Sequence, residues 1–346
     1  MPNHLRGALT AFVASAALAL AACSNNDSVR FQPGPTPTPA PTATPTTAPA
    51  PVSYVAIGAS DAVGLGASVP CATPPTVANP TCPGGTGYVP VLAGLITTKT
   101  GAAVTLDDLG ISGAVVGPDI LALTNQYGSQ NSAAPCAPRT GADVVPGDFI
   151  TNELPNVPAT ATLVTIFAGG NDTNGIVNAL GCGAGGTTSA SQTAFITTWI
   201  TNFGNDLQSL ILQVRAKAPN AKIVLANLPN FSQIPVGLAI GATNPAAGQA
   251  LAAVSVGIDQ NVIDRAPSFG IPVVDLLCNP VSYASSNFFT DGFHPNDAGY
   301  QALAQAFYAQ ISAVTPALPQ PNCSYASLTA RVRLPMSGPI RTFEHR

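Results

Sequence analysis

The segment VSYVAIGASDAVG, residues 52–64, decides how this chain folds. Its first part, Val52–Ile57, is apolar and β-branched without strict polar alternation, which is typical of a strand buried on both faces of a parallel sheet. The strand runs directly into Gly58-Ala59-Ser60, and a glycine at this point allows a tight turn. Ser60 is therefore expected at the carboxyl end of the first strand.

Four further runs of the same kind follow, and helical stretches separate them. The other predicted strands are Ala103–Leu109, Ala161–Phe167, Lys222–Leu228 and Ile271–Leu277. The predicted helices are Tyr88–Thr98, Pro118–Asn125, Phe195–Lys217, Gln249–Arg265 and Asp297–Ala313. Phe195–Lys217 is the clearest helix, because its apolar residues recur at helical spacing until Pro219 stops the pattern. Alternating strands and helices predict an open, doubly wound α/β fold, in which ligands bind outside the carboxyl ends of the strands.

The chain has three histidines, and His294 is the one placed to act. His4 lies inside a predicted export signal, and His345 is the penultimate residue of a polar tail. His294 follows Asp291 in the stretch TDGFHPN, residues 290–296, just before the last predicted helix. An imidazole is the side chain that exchanges protons near neutral pH. An aspartate three positions earlier is close enough to orient it.

Ser60 taken alone supports two interpretations. A serine between a strand and a helix is a common helix cap, and it is equally a candidate nucleophile for a nearby histidine. A phosphate-binding loop fits poorly, because the glycines at 58, 64 and 66 match neither G-x-G-x-x-G nor the Walker pattern. The α/β-hydrolase elbow G-x-S-x-G does not occur in the sequence.

Glycine-containing turns follow the second and third predicted strands. In LGISGA, residues 109–114, a glycine lets a backbone N–H approach a bound atom, although a tight strand-to-helix connection is the plainer interpretation. In AGGND, residues 168–172, Asn171 offers a neutral amide donor that suits a developing oxyanion. Asparagine and aspartate are also common in turns for local reasons, so this motif too is ambiguous by itself.

Together the four motifs resemble those of the SGNH hydrolases, also called the GDSL family. The family's four letters name a serine after the first strand, a glycine after the second, an asparagine after the third and a closing histidine, and all four occur here in that order. The resemblance covers residues 52 to about 313. It implies the SGNH hydrolase fold, a flavodoxin-like, doubly wound α/β architecture with a five-stranded parallel sheet and helices on both faces. It also implies a carboxylic-ester hydrolase that works without a metal or an organic cofactor.

The resemblance assigns roles to individual residues. It makes Ser60 the nucleophile and His294 the general base that later protonates the leaving group, while Asp291 orients the imidazole. The implied oxyanion hole consists of the backbone N–H groups of Ser60 and Gly113 and the side-chain amide of Asn171.

The nucleophile motif departs from the family pattern at one position. The usual Gly-Asp-Ser is here Gly58-Ala59-Ser60, and an aspartate, Asp61, follows the serine instead of preceding it. Because the implied triad acid is Asp291, the loss of the earlier aspartate need not abolish catalysis. We expect it to alter how the nucleophile turn is supported, with Asp61 as a partial substitute.

The N-terminal region is predicted to be an export signal and a spacer. Residues 1–22 form a lipoprotein signal peptide, since the uncharged run after Arg6 is too short to span a membrane and ends in Leu-Ala-Ala-Cys. This ending resembles the bacterial lipobox, in which Cys23 is lipidated; an ordinary secretory signal is the alternative. Residues 23–51 are the lipidated cysteine and a Pro/Thr/Ala-rich linker with the composition of an extended spacer. Residues 52–314 are the hydrolase domain, and residues 315–346 are a C-terminal tail.

Six cysteines remain in the mature chain, an even number that favours three disulfides in an exported protein. Sequence proximity and loop placement favour the pairs Cys71–Cys82, Cys136–Cys182 and Cys278–Cys323 among the fifteen possible connectivities. No C-x-x-C pair or Cys/His cluster is present in the sequence, which makes a zinc site improbable.

Charge composition excludes some partners. Only 8% of the residues are charged, the net charge is −4, and the sequence has no basic patch, so we expect no nucleic-acid binding. The tail carries Arg331, Arg333, Arg341 and Arg346, which either meet an anionic surface or belong to a solvated terminus. We expect a monomer that is held on a membrane through the lipid anchor and faces the periplasm or the cell surface, or is secreted.

The expected substrate is a small-molecule, glycan or lipid ester. Short acyl esters or acetylated glycans are the first prediction, and lipid-like esters of the lipase or phospholipase kind are the second. Three polar, glycine- and proline-rich loops, Gly66–Gly87, Tyr127–Pro146 and Thr173–Gln192, are predicted to form the rim that sets substrate choice. A binding lipoprotein that kept the fold but lost turnover is the alternative, and Ala59 is its only support.

Overall fold

A computed structural model describes residues 48–71, 82–128 and 134–327 of the chain. The predicted signal peptide, Cys23, most of the linker and the four tail arginines lie outside these residues. Within the described part, no helix combines the length and the apolar character needed to cross a membrane.

The sheet has five parallel strands in the order β2-β1-β3-β4-β5, so the predicted five-stranded parallel sheet is confirmed. The strands are β1 Val52–Gly58, β2 Val104–Asp108, β3 Leu163–Phe167, β4 Lys222–Ala226 and β5 Val273–Val274. β5 is much shorter than the predicted Ile271–Leu277. The reason is local, because the N–H groups of Leu276 and Leu277 donate to the side-chain oxygen of Asn227 at 2.6 and 3.1 Å and not to the β4 backbone.

Helices cover both faces of the sheet, as predicted. The described residues form α1 Ser60–Val63, α2 Tyr88–Thr100, α3 Pro118–Tyr127, α4 Gly170–Gly181, α5 Ser189–Lys217, α6 Pro235–Thr243, α7 Pro245–Asn261 and α8 Asp297–Ser312. α2 and α8 pack on one face, and α3, α4, α5 and α7 pack on the other. The predicted helix Gln249–Arg265 corresponds to α7 and a 3₁₀ segment after it, whereas α6 was not predicted.

One predicted loop is wrong. Thr173–Gln192 was expected to be a rim loop, but most of it belongs to α4 and to the start of α5. Every residue of α4 from Asp172 to Gly181 is buried, although the segment contains glycines and asparagines that favour turns in an isolated peptide. Burial against the neighbouring helices outweighs these weak local preferences, and only a short connection remains between the two helices.

The central strand β1 explains the unbroken apolar pattern of the opening segment. Its successive side chains point to opposite faces, so Tyr54 and Ala56 enter one core while Val55 and Ile57 enter the other, and all four are fully buried. Because both faces are covered, no position of this strand favours a polar side chain.

Three disulfides hold loops and the start of the tail to the domain. They join Cys71 to Cys82, Cys136 to Cys182 and Cys278 to Cys323, which are the pairs that sequence proximity favoured. Beyond the last of these, the ring of Tyr325 stacks on that of Tyr283 with centroids 3.8 Å apart. The first part of the tail is therefore fixed to the domain, as expected from Cys323.

Candidate active site

The predicted catalytic residues meet at the carboxyl end of the sheet. Ser60 is the first residue of α1, directly after the turn that ends β1. Asn171 lies in the first turn of α4, just after the neighbouring strand β3. His294 lies in the loop before α8 and reaches the same place from 234 residues further along the chain than Ser60. Ser60 and His294 are 5% and 3% exposed, so the contact between them is shielded from bulk water.

Ser60, His294 and Asp291 form one continuous hydrogen-bonded chain. The Nε2 atom of His294 is 2.8 Å from the Oγ of Ser60, and its Nδ1 atom is 2.9 Å from the Oδ2 of Asp291. These distances are within the range of direct hydrogen bonds. The arrangement is that of a nucleophile, a base and an orienting carboxylate.

A compact turn holds Asp291 in place. Its Oδ1 atom accepts the backbone N–H groups of Phe293 and His294 at 2.7 and 2.9 Å, which leaves Oδ2 for the imidazole. Gly292 supports the turn because it has a φ of +70°, a conformation that residues with a side chain rarely adopt. Burial opposes ionisation of Asp291, but the hydrogen bonds from the His294 ring and from these two N–H groups outweigh it and hold the pKa of Asp291 below its usual value.

This carboxylate determines the tautomer of His294. An ionised carboxylate can only accept hydrogen bonds, so the Nδ1 atom of His294 carries the proton and donates it to Asp291. In the neutral ring, Nε2 is then without a proton and accepts the hydrogen bond from the Ser60 hydroxyl. Ser60 is consequently hydrogen-bonded to a base that is ready to take its proton.

Asn171 and Asp172 connect α4 to the loop that carries Gly113. The side-chain Nδ2 of Asn171 donates to the carbonyl of Ala114 at 2.9 Å, and the N–H of Val116 donates to the Oδ1 of Asp172, also at 2.9 Å. An amide nitrogen has two N–H bonds, so the second one of Asn171 has no partner among the described residues and is available to a ligand. Gly113 has a φ of +85°, which favours glycine at this position. The two segments predicted to form the oxyanion hole, the start of α4 and the loop around Gly113, are therefore in direct contact beside the nucleophile turn.

Replacing Asn171 by alanine is expected to lower kcat on a p-nitrophenyl ester by about 10²- to 10³-fold, the usual cost of losing one oxyanion donor. KM should change little, because the lost hydrogen bond strengthens only as negative charge develops in the transition state. Steady-state kinetics on the purified variant measure both constants. Asn156→Ala, which removes an exposed amide elsewhere in the fold, is the matched control; a kcat of Asn171→Ala equal to that of the control would contradict the assignment.

A largely apolar pocket adjoins the serine. It encloses about 930 Å³ of empty space, its open mouth included, and it contacts Ser60, Asn171 and the loop around Phe293. Phe231 and Phe293 pack edge to face in its wall, with ring centroids 5.4 Å apart. Among the described residues, no cluster of histidine, cysteine and acidic side chains is suited to hold a metal ion.

The walls of this pocket differ from the predicted rim. None of the described residues of the three predicted rim loops lines it. The walls come from the segments that follow β4 and β5, within 228–234 and 276–288, and from one face of α8. Sequence reasoning missed these segments because they are loops of mixed composition without a recognisable motif, and their contribution follows from their position at the carboxyl end of the sheet.

Several buried carboxyl groups surround the site, and one of them is Asp108 at the end of β2. Burial raises the pKa of Asp108 to about 7, while the N–H of Gly110, which donates to its Oδ1 atom at 3.1 Å, opposes the rise. Asp61 lines the pocket beside Ser60; burial raises its pKa, and the neighbouring His294 opposes that rise. The expectation that Asp61 supports the nucleophile turn stays a prediction.

Asp108 is expected to make folding stability depend on pH. Because its folded-state pKa of about 7 lies above the unfolded value, its contribution is fully present below about pH 4 and is lost as the pH rises to about 7. Asp108→Asn removes this dependence and keeps the acceptor for Gly110. The free energy of unfolding of the variant, relative to the wild type, should therefore increase by up to about 4 kcal/mol from pH 4 to pH 8.

Urea unfolding at both pH values measures this difference. Asp143→Asn, a change at the end of the short 3₁₀ segment Gly141–Asp143, is the control and should leave the difference constant. A constant difference for Asp108→Asn as well would refute the prediction.

Comparison with known proteins identifies the family of this chain. The model of the GDSL-like lipase/acylhydrolase family matches residues 56–302, which is most of the chain. The chain therefore belongs to this family, and it is a carboxylic-ester hydrolase. Among curated proteins, none matches the sequence.

Similar solved structures include lipases and esterases. An extracellular lipase from Streptomyces rimosus is 17% identical, with 74% of this chain and 98% of that chain covered and a TM-score of 0.47. A phospholipase A1 from Streptomyces albidoflavus is 19% identical, with 76% and 100% covered and a TM-score of 0.44. A variant of the acetyl xylan esterase Axe2 from Geobacillus stearothermophilus is 18% identical, with 75% and 94% covered and a TM-score of 0.41.

Proposed function

We propose that this protein hydrolyses carboxylic esters through an acyl-enzyme formed on Ser60. The single observation that carries the proposal is the hydrogen-bonded chain from Ser60 through His294 to Asp291. His294 removes the hydroxyl proton as Oγ forms a bond to the ester carbonyl carbon. The negative charge that develops on the carbonyl oxygen is stabilised by the N–H groups of Ser60 and Gly113 and by the Asn171 amide.

The same three residues complete the turnover. As the tetrahedral intermediate collapses, the bond to the alcohol oxygen breaks, and His294 gives its proton to that oxygen. Water then attacks the acyl-enzyme carbonyl while His294 takes a proton from the water. The second collapse releases the carboxylic acid and returns the proton to Oγ of Ser60. Asp291 stays ionised throughout and stabilises the imidazolium form of His294.

We propose short, apolar acyl groups as the preferred acyl part of the substrate. Support comes from the pocket, whose walls include Phe231, Phe288 and Leu303. Small residues at 299, 302 and 306 face it from α8, over a length of about 10 Å at 1.5 Å per residue. These walls offer little to an acetyl group and favour burial of several methylene groups. Acetylated glycans are accordingly a weaker candidate than butyrate-like esters, and longer lipid esters are the second candidate.

Hydrolysis of p-nitrophenyl acetate, butyrate and octanoate by the mature domain tests both proposals. Two added methylene groups at about 0.8 kcal/mol each should raise kcat/KM about tenfold from acetate to butyrate. A further rise to octanoate would favour the lipase-type alternative, and a maximum at acetate would contradict the apolar preference. No hydrolysis of any ester, together with no labelling by a fluorophosphonate probe, would refute the acyl-enzyme and favour the binding lipoprotein.

We further propose that the protein is exported and anchored to a membrane by a lipid on Cys23. Three disulfides, which are typical of exported proteins, support the export. The lipobox-like sequence before Cys23 supports the anchor. Mass measurement of the N-terminal peptide of the protein purified from the membrane fraction should show a mature chain that begins at Cys23 and carries the mass of a lipid on it. A mature N-terminal peptide without this added mass would contradict lipid anchoring.

A further inference from the structure

The end of strand β1 is held by a carboxyl group from a distant part of the chain. Glu153 is the last residue of the short helical segment Phe149–Glu153, and it is fully buried. Its Oε2 atom accepts the backbone N–H of Gly58 at 2.9 Å. Its other oxygen, Oε1, has no hydrogen-bond partner among the described residues. Burial of a carboxyl group with one oxygen unpartnered destabilises the folded state relative to burial of an apolar side chain.

Gly58 connects the two turns that the proposed chemistry needs. It is the last residue of β1, two positions before Ser60. Its carbonyl accepts the N–H of Ile111 at 3.1 Å, and Ile111 lies two positions before Gly113. The hydrogen bond from Gly58 to Glu153 therefore acts at the point where the nucleophile turn and an oxyanion loop are joined.

Gly58 packs closely against α1 and β3. A methyl group built on Gly58 would lie 3.0 Å from the Cβ of Ala62 in α1 and 3.3 Å from the carbonyl oxygen of Phe167 in β3. Gly58 thus lies against α1, which begins with Ser60, with no room for a side chain between them. The Oγ of Ser60 in turn depends on this position for its 2.8 Å contact with His294.

The surroundings of Glu153 favour its neutral form. Burial raises the pKa of Glu153 well above its usual value, the hydrogen bond from Gly58 opposes this, and the neighbouring Asp108 adds to the rise. Asp148 also contributes to the rise, and the backbone of Ile111 lowers the pKa. A neutral carboxyl group still provides a carbonyl oxygen for the Gly58 N–H, and a glutamine at the same position would provide the same acceptor.

We infer that Glu153 is a positioning residue for catalysis, which holds the end of β1 so that Ser60 stays in line with His294. This inference rests on the proposed function, because it takes Ser60 as the nucleophile. It also accounts for the unusual turn. At position 59, where the family pattern has an aspartate, this chain has an apolar alanine that borders the pocket, whereas the carboxyl group bonded to the end of the strand comes from Glu153.

The test compares Glu153→Gln with Glu153→Leu in the purified full-length protein. Glu153→Gln keeps a carbonyl oxygen that can accept the Gly58 N–H, as the neutral carboxyl group of Glu153 does. Its kcat on p-nitrophenyl butyrate should therefore stay within about threefold of the wild-type value. Glu153→Leu has a similar volume but no acceptor, and it should lower kcat about 10- to 100-fold, as a misplacement of about 1 Å can do. KM should change less than about twofold, and fluorophosphonate labelling of Ser60 should slow by the same factor as kcat.

A control separates positioning from stability. Leu210→Ala removes a fully buried side chain from α5, outside the pocket, and it should lower stability while kcat stays at the wild-type value. If Glu153→Leu does not fold, Glu153→Asp replaces it, because a carboxyl group drawn back by one methylene no longer reaches the Gly58 N–H at hydrogen-bonding distance. Its kcat should fall at least tenfold, on the order expected for such a shift.

Two results would overturn the inference. One is wild-type kcat and labelling rate in Glu153→Leu, or in Glu153→Asp where that variant replaces it. The other is an equal loss of kcat in Glu153→Gln, which would show that the neutral acceptor is not what matters. Failure of the proposed function is distinguishable, because the wild-type protein itself would then neither hydrolyse esters nor be labelled at Ser60.

Discussion

Replacing Ser60 by alanine is expected to lower kcat on p-nitrophenyl butyrate by about 10⁴- to 10⁶-fold, the loss seen when a nucleophile of this kind is removed. The change deletes the only atom that can form the acyl-enzyme and leaves the oxyanion donors in place. Folding should be little affected, because the one hydrogen bond that the Oγ of Ser60 makes among the described residues is to the ring of His294.

Mass measurement of the intact protein and of its proteolytic peptides gives a second readout of the same variant. The wild-type protein should gain the mass of one fluorophosphonate adduct on the peptide that contains Ser60, and Ser60→Ala should gain none. Ser268→Ala is the control, because it removes an exposed hydroxyl whose hydrogen bond is to a nearby carbonyl. A Ser60→Ala variant that keeps more than about one per cent of wild-type kcat would exclude Ser60 as the nucleophile, given the size of the effect expected.

Replacing His294 by alanine is expected to cause a loss of similar size, about 10⁴-fold or more, because nucleophile and base act as a unit. Without the imidazole, no described group within hydrogen-bonding distance of Ser60 can take its proton. Fluorophosphonate labelling should slow together with kcat, since labelling also requires an activated hydroxyl. Added imidazole should restore part of the activity, because removing the ring leaves a cavity beside Oγ of Ser60.

The chain supplies its own control for this experiment. His345→Ala makes the same chemical change outside the predicted hydrolase domain and should leave kcat at the wild-type value. If His294→Ala turned over esters as well as this control variant, another group would have to be the base, and the role of Asp291 would be refuted with it.

The architecture could be predicted from the sequence because burial of a sheet on both faces requires strands that are apolar throughout. Strands such as Val52–Ile57 are apolar throughout, and their alternation with amphipathic helices allows few arrangements. The structure confirms five parallel strands with helices on both faces. Local patterns failed where tertiary contacts oppose them, as in α4, whose turn-favouring residues form a helix because all of them from Asp172 onward are buried.

The candidate catalytic residues were also accessible from the sequence, since each directly follows a strand or precedes the last helix. The Asp291-to-His294 spacing places donor and acceptor in one local turn, so their contact at 2.9 Å needs little help from the rest of the fold. The contact between Ser60 and His294 is different in kind, because 234 residues separate them and only the order of the strands brings them together.

By itself the sequence determined the class of fold, the family motifs and the identity of the residues proposed for catalysis, because these depend on local periodicity and on short motifs. The tertiary structure alone decided which segments wall the pocket and which group supports the nucleophile turn. Segments after β4 and β5 line the pocket in place of the predicted loops, and Glu153 reaches Gly58 across 95 residues. Contacts of this kind depend on how distant segments pack around one another, and no short stretch of sequence records that packing.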